Sequence, residues 1–229
     1  LTLRPPIARS NEKNWISVQA KYLDELSDMA ERYEVPIICG GDVFHTWNSP
    51  PELINFAIER LPLMYAVPGQ HDLPLHNYQD MHKSAFYTLV KAGKIRLLQP
   101  NMPEVVDDLV LCGFPWGHRI IPYCAFMQTH PGKIPIAVIH QYLWNSPENS
   151  FTGAPEDRHL RALSKSGALD WYKFAVFGDN HKRFTATCNG CAVVNNGGFL
   201  RRCADEVEHA PSISLLCADG SIRPVRMDK

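Results

Sequence analysis

The sequence predicts an α/β fold with its functional residues along one sheet edge, and three observations carry that prediction. Four apolar runs of strand length stop at ligand-type residues: Val35–Cys39 before Gly40-Gly41-Asp42, Leu63–Val67 before Gly69-Gln70-His71-Asp72, Ile134–Ile139 before His140, and Phe174–Phe177 before Gly178-Asp179-Asn180-His181. Apolar residues at helical spacing precede the first of these runs, and hairpin signals close the chain. Strands that release polar side chains at their C-terminal ends build a site along one edge of an α/β sheet.

Each element follows from its own pattern. Trp15, Val18, Tyr22, Leu26, Met29 and Tyr33 recur every three or four residues, which predicts an amphipathic helix over Asn14–Tyr33. Ser49-Pro50-Pro51-Glu52 has the form of a capping box and predicts a second helix to Leu61. A third is expected over Asp80–Ala92, closing on Gly93. Ile95–Leu98, Val105–Val106 and Leu109–Cys112 read as short strands, the last two joined at Asp107-Asp108. The aromatic, proline-rich stretch Gly113–Gly132 follows no period and is assigned no element. A long loop from His140 to Pro155 carries Tyr142, Trp144 and Phe151, which suit either a rim around a site or packing beneath the loop. A helix is expected over Glu156–Ser166. Phe184–Cys188 and Cys191–Val194 flank Asn189-Gly190, and Ser212–Cys217 and Ile222–Arg226 flank Asp219-Gly220, so both pairs predict hairpins.

Composition bounds the function. The 229 residues, 45% hydrophobic, suit one domain with a full core. A net charge of −1 gives no global basic field for nucleic acid or anionic membrane, so affinity for a phosphorylated substrate needs a local positive centre such as bound metal. Seven cysteines without framework spacing point to a reducing compartment, hence the cytoplasm. No stretch approaches the roughly 20 apolar residues of a membrane span, and Leu1–Pro6 lacks the apolar core of a signal peptide.

Carboxylate, imidazole and amide oxygen are donors for divalent first-row metals. A carboxylate on a glycine-tight strand end can bridge two ions, and ions about 3.5–4 Å apart clamp the attacking and leaving oxygens of an in-line displacement at phosphorus. Gly41-Asp42, Gly69-Gln70-His71-Asp72, His140 and Gly178-Asp179-Asn180-His181 resemble, in order and spacing, four of the five blocks of the calcineurin-like metallophosphoesterases. Gly41-Asp42-Val43-Phe44-His45 with Ser49-Pro50-Pro51, and later Asn196–Arg202, Asp205-Glu206 and the Asp219-Gly220 hairpin, are similar to the SbcD-type DNA-repair exonucleases. The resemblance spans Val35 to Arg226.

That resemblance implies a four-layer α/β/β/α sandwich with two divalent cations, manganese ahead of magnesium, at the strand C-termini. It makes Asp42 the bridging carboxylate, Gln70, His140 and Asp179 ligands of the second metal, and His181 a ligand of the first. His71 would protonate the leaving oxygen, with Asp72 holding its ring. Gln70 stands where the family has Asn, and Asp179 where it has His. The extra carboxylate hardens the site, favouring manganese or magnesium over zinc. No Asp-x-His block precedes Gly41-Asp42, and Leu1–Leu3 resembles the loop that would follow one, so the chain reads as a single domain, residues 1–229, without its first strand.

The implied activity is phosphodiester hydrolysis on DNA, as a nuclease subunit. An ATPase subunit and a second copy of the chain are the candidate partners, though little of the chain remains for DNA-capping or ATPase-docking segments, so weak DNA affinity is expected. The rivals are a phosphomonoesterase or cyclic-nucleotide phosphodiesterase on the same fold, and a metal-degenerate scaffold that binds protein. His45, His76 and His82 read as capping, packing or solvent-facing residues, with a place behind the ligands open to His45. Cys188 and Cys191 read as a cross-strand thiol pair rather than zinc ligands. Arg201-Arg202 suits either substrate phosphates or a solvated edge.

Overall fold

A computed structural model describes residues 1–122, 130–200 and 210–227. Two sheets stack face to face. The smaller has β1 (Ile37–Cys39), β2 (Met64–Ala66) and β3 (Ile95–Leu97), all parallel and in that order. The larger contains β4 (Glu104–Val106), β5 (Leu109–Phe114), β6 (Ile134–His140), β7 (Phe174–Gly178), β8 (Phe184–Cys188) and β9 (Cys191–Asn195), in the order β4-β5-β6-β7-β9-β8. Its central strands β5, β6, β7 and β9 are parallel, while β4 and β8 pair antiparallel at the edges. A separate antiparallel hairpin joins β10 (Ser212–Leu216) to β11 (Ile222–Arg226).

The period-two alternation of the strands explains the layering. Ile136, Val138, Phe174, Val176 and Val194 point between the sheets, where they meet Ile38 and Tyr65. Their neighbours Ala137, Ile139, Ala175 and Val193 point outward, onto Leu160 and Leu163 of α4 (Leu160–Ser166). On the far side, α1 (Trp15–Tyr33), α2 (Pro51–Arg60) and α3 (Ala85–Lys91) lay Leu23, Leu53, Ala57, Phe86 and Leu89 over Met64, Ala66 and Ile95 of the small sheet. The expected four-layer α/β/β/α sandwich is the architecture of the chain. Full burial of each valine, leucine, isoleucine, methionine or phenylalanine among them contributes about 1.5–3 kcal/mol. Among the described residues, no helix is long and apolar enough to cross a membrane.

Several local expectations are corrected. The first helix begins as read, with the Asn14 side chain accepting from Ser17 N at 3.1 Å. The box before α2 does not form: Ser49 donates to Thr46 O at 2.9 Å, and the cap position is Pro50, which has no side-chain acceptor. The third helix is divided, because Ser84 interrupts it and accepts from Tyr87 N at 3.2 Å. A 3₁₀ segment, Tyr78–Lys83, precedes the break and α3 follows it. The helix expected over Glu156–Ser166 divides in the same way, with a 3₁₀ turn at Glu156–Arg158 and His159 capping α4. Asn189 and Gly190 both have positive φ, as the tight β8–β9 turn requires, and bring Cys188 opposite Cys191 as free, buried thiols. The β10–β11 connection is wider than a two-residue turn, closed by Cys217 N donating to Ser221 O at 3.0 Å.

Candidate metal centre

The C-terminal strand ends of the two stacked sheets come together at His140. At the close of β6 this ring is 0% exposed and lies beside Gly178 of β7 in register. Nδ1 donates to the Gly40 carbonyl, which fixes the ring and aims Nε2 at the carboxylates. Nε2 donates to Gln70 Oε1 at 2.6 Å and lies 3.5 Å from Asp42 Oδ2. The Gln70 amide in turn donates to Asp179 Oδ1 at 2.9 Å. Asp42, His140 and Asp179 thereby offer donor atoms that all lie within 4.8 Å of one another.

Such convergence needs backbone to pass where a side chain would otherwise stand. Gly41 has φ +104°, and a Cβ there would overlap the His140 ring. A Cβ on Gly69 would overlap the Asp42 carboxylate and the same ring. Asp42 and Asp179 themselves hold positive φ, 56° and 80°. Backbone strain of this kind, of order 1–3 kcal/mol per residue, persists only where the surroundings over-determine it.

The electrostatics follow from burial and charge. Burial works against charging His140, but the adjoining Asp42 carboxylate, with Asp179 and the Gly40 carbonyl, outweighs it and raises the imidazole pKa. Burial likewise opposes the Asp42 anion, and the His140 and His71 side overcomes it, so its pKa is lowered. Asp72, also buried, is pushed up to about 6 by desolvation and then by the Asp42 charge, against the amide donors that favour its anion.

The residues read from the sequence as metal donors largely come together. Asp42, Gln70, His140 and Asp179 form one connected network. His181 is exposed and faces the same cavity of about 260 Å³ as Asp42 and Asp179, but is not among the three mutually close donors. His71 is half-buried, its backbone N–H donating to Asp42 Oδ1 at 3.0 Å and its ring 5.3 Å from that of His45. The expected support of the His71 ring by Asp72 is not what the carboxylate does. Its oxygens accept instead from the backbone N–H groups of Phe44 at 3.0 Å, Gly69 at 3.0 Å and Val43 at 3.2 Å. Successive residues in the 3₁₀ turn Gln70–Asp72 point apart, so sequence adjacency gives no ring contact. Arg201-Arg202 and Asp205-Glu206 lie outside the described residues.

Two contributors went unassigned in the sequence. Trp116 places its ring edge-on to His140, 6.3 Å between centroids, and meets His76 at the same separation. Asn180 is buried, and its amide donates to Leu143 O at 2.7 Å and Asn149 O at 2.8 Å, tying the loop after β6 to the end of β7. Its place between Asp179 and His181 was the one available signal.

Two carboxylates, an imidazole and an amide oxygen, gathered without a thiolate, suit a divalent cation. No family model matches the chain, and no curated protein does. Solved structures do. A Staphylococcus aureus protein with a provisional 5′-nucleotidase assignment is 14% identical, over 78% of this chain and 42% of that one, with a TM-score of 0.47. An archaeal phosphodiesterase is 14% identical over 90% and 91% of the two chains, TM-score 0.45. An anchor protein of the Plasmodium inner membrane complex is 10% identical over 81% and 68%, TM-score 0.47. Likenesses of this depth assign no activity.

Proposed function

We propose that this chain is a metal-dependent phosphoesterase that hydrolyses phosphodiesters, with DNA the favoured substrate in the manner of an SbcD-type nuclease. The observation that carries the proposal is the gathering of Asp42, His140 and Asp179 from three strand ends that lie far apart in sequence. These side chains, with the Gln70 amide oxygen, would hold the cation, and His181 faces the same cavity as Asp42 and Asp179. A divalent cation bound there supplies Lewis acidity toward phosphorus and acidifies water near neutral pH. The Gly40 carbonyl holds the Nδ1 proton of His140, so that Nε2, once its own proton is displaced, faces the cation. Asp72 ties the two turns that carry Asp42 and Gln70 to each other. In this reading His71, half-buried and joined to Asp42 through its backbone N–H, protonates a departing oxygen.

Parallel assays with mono- and bis-nitrophenyl phosphate and with linear DNA, in the presence of manganese, test this reading. Diester turnover that Asp42→Asn abolishes is expected. Turnover of the monoester alone would end the diester claim. A chain whose melting temperature and activity both ignore manganese would instead be a protein-binding scaffold.

A further inference from the structure

The loop that leaves β6 after His140 carries two aromatic side chains that meet each other. Tyr142 lies two residues past His140, and its ring meets that of Phe151 at 5.1 Å between centroids, tilted by 58°. Phe151 is 55% exposed. An exposed aromatic is ordinary on its own; what sets this one apart is how firmly the surrounding backbone is held. Asn180, next to Asp179, donates to the carbonyls of Leu143 and Asn149, and Lys182, next to His181, donates to Ser150 O at 2.9 Å. Asn149 closes the loop on itself, accepting from Asn145 N at 2.9 Å and Ser146 N at 3.3 Å. The loop is therefore fastened to the β7 end that supplies Asp179. The Tyr142 hydroxyl lies next to the Phe151 backbone and within reach of the Asp179 charge.

We propose that Tyr142 and Phe151 form a stacking subsite for the nucleobase of a phosphoester whose phosphate lies at Asp42, His140 and Asp179. This deepens the hydrolase reading and rests on it for the position of the phosphate. Every base offers a π-face, and a base stacks on an aromatic ring without regard to sequence. Two rings suit a flat heterocycle better than an acyl chain, which would require a wider apolar surface. A subsite fixed before binding also spares the ordering cost that a mobile loop would incur.

Two esters with the same leaving group test the subsite: the 4-nitrophenyl ester of thymidine 5′-monophosphate, and methyl 4-nitrophenyl phosphate. The unaltered chain, loaded with manganese, is expected to prefer the nucleoside ester. Phe151→Ala should lower kcat/KM for that ester about tenfold through KM, leave the methyl ester unchanged, and weaken thymidine 5′-monophosphate in equilibrium dialysis by the same factor. Phe151→Trp should retain the preference. Trp171→Ala removes a 67% exposed ring that precedes β7, at the opposite end of the strand, and should change nothing. Nucleotide binding that is absent, or equal in Phe151→Ala, overturns the subsite whatever the turnover. Failure to hydrolyse either ester, with nucleotide binding still dependent on Phe151, sinks the hydrolase reading and leaves the subsite standing.

Discussion

The large sheet and the small sheet bring their donors to the centre by different means. In the large sheet, β6 is buried along nearly all of its length and pairs with a parallel neighbour on each side, so His140 and Asp179 hang from a continuous ladder. In the small sheet β1 is a three-residue edge strand, none of it fully buried, and β2 is no longer. Ladder hydrogen bonds are too few there to fix the turns that carry Asp42 and Gln70. The missing constraint comes from close-packed glycines and from the Asp72 carboxylate, which holds both turns by their amides. One half of the centre is rigid through its strands, and the other through its turns.

The sharpest way to break the weaker half is to add one carbon atom. Gly41→Ala combines positive φ with a Cβ in the space of the His140 ring, and should cost about 3–5 kcal/mol in urea unfolding. Gly93→Ala is the comparison: φ is +74° there, but a Cβ meets nothing within 4 Å, so the cost should stay near 1 kcal/mol. Equal losses in the two variants would show that backbone conformation, not crowding against His140, dominates at Gly41.

Asp72→Asn tests the staple. The variant turns an amide NH₂ toward backbone donors that need an acceptor, and should destabilise the chain by about 2–3 kcal/mol at pH 7.5. Hydrogen exchange should quicken across β1 and β2 well before β6 and β7. Unchanged protection, with activity lost, would restore the reading in which Asp72 serves the His71 ring.

Asn180→Ala acts on the other half, where ladder pairing already holds the strands. Losing two amide donors to the Leu143 and Asn149 carbonyls should cost about 1–2 kcal/mol. Limited proteolysis should then cut between Leu143 and Phe151, while β7 keeps its protection from exchange. Cleavage rates matching the unaltered chain would mean that Asn149 and Lys182 hold the loop without Asn180.

What the sequence could reveal followed from range. Strand runs, the first helix and the β8–β9 turn are specified by residues within a few positions of one another, and the structure has them with ends shifted by no more than about two residues, β5 running on to Phe114. Asp42, His140 and Asp179 were legible because each stands where an apolar run stops. Asp72 was misread because its partners Val43 and Phe44 lie 29 and 28 residues away, while its neighbour His71 offered an obvious pairing. Asn180 was passed over for the same reason, its acceptors lying 37 and 31 residues back. Ser49 and Ser84 show the local version: both are helix-capping residue types, and only Ser84 has a helical N–H in reach.

The gentlest probe of the comparison is the proton, because it acts on the one ligand held by the rigid half and charged by the weaker one. The His140 pKa is raised, so the stability its protonated form contributes is fully present below the ordinary imidazole value of about 6.5, and is lost as pH rises through the folded value. Asp42 runs the opposite way: its contribution is lost only as pH falls through its lowered value, well below this window. A chelator-treated chain should therefore melt at lower temperature as pH climbs from about 6.5 to 8. A cation on Nε2 must displace the proton, so manganese should bind more tightly over the same interval, by about tenfold for each pH unit below the folded His140 value if one proton is released. Calorimetry in two buffers of different ionisation enthalpy counts that proton directly. Binding without proton release would place the cation away from His140 Nε2, and with it the whole convergence of the two sheets on that ring.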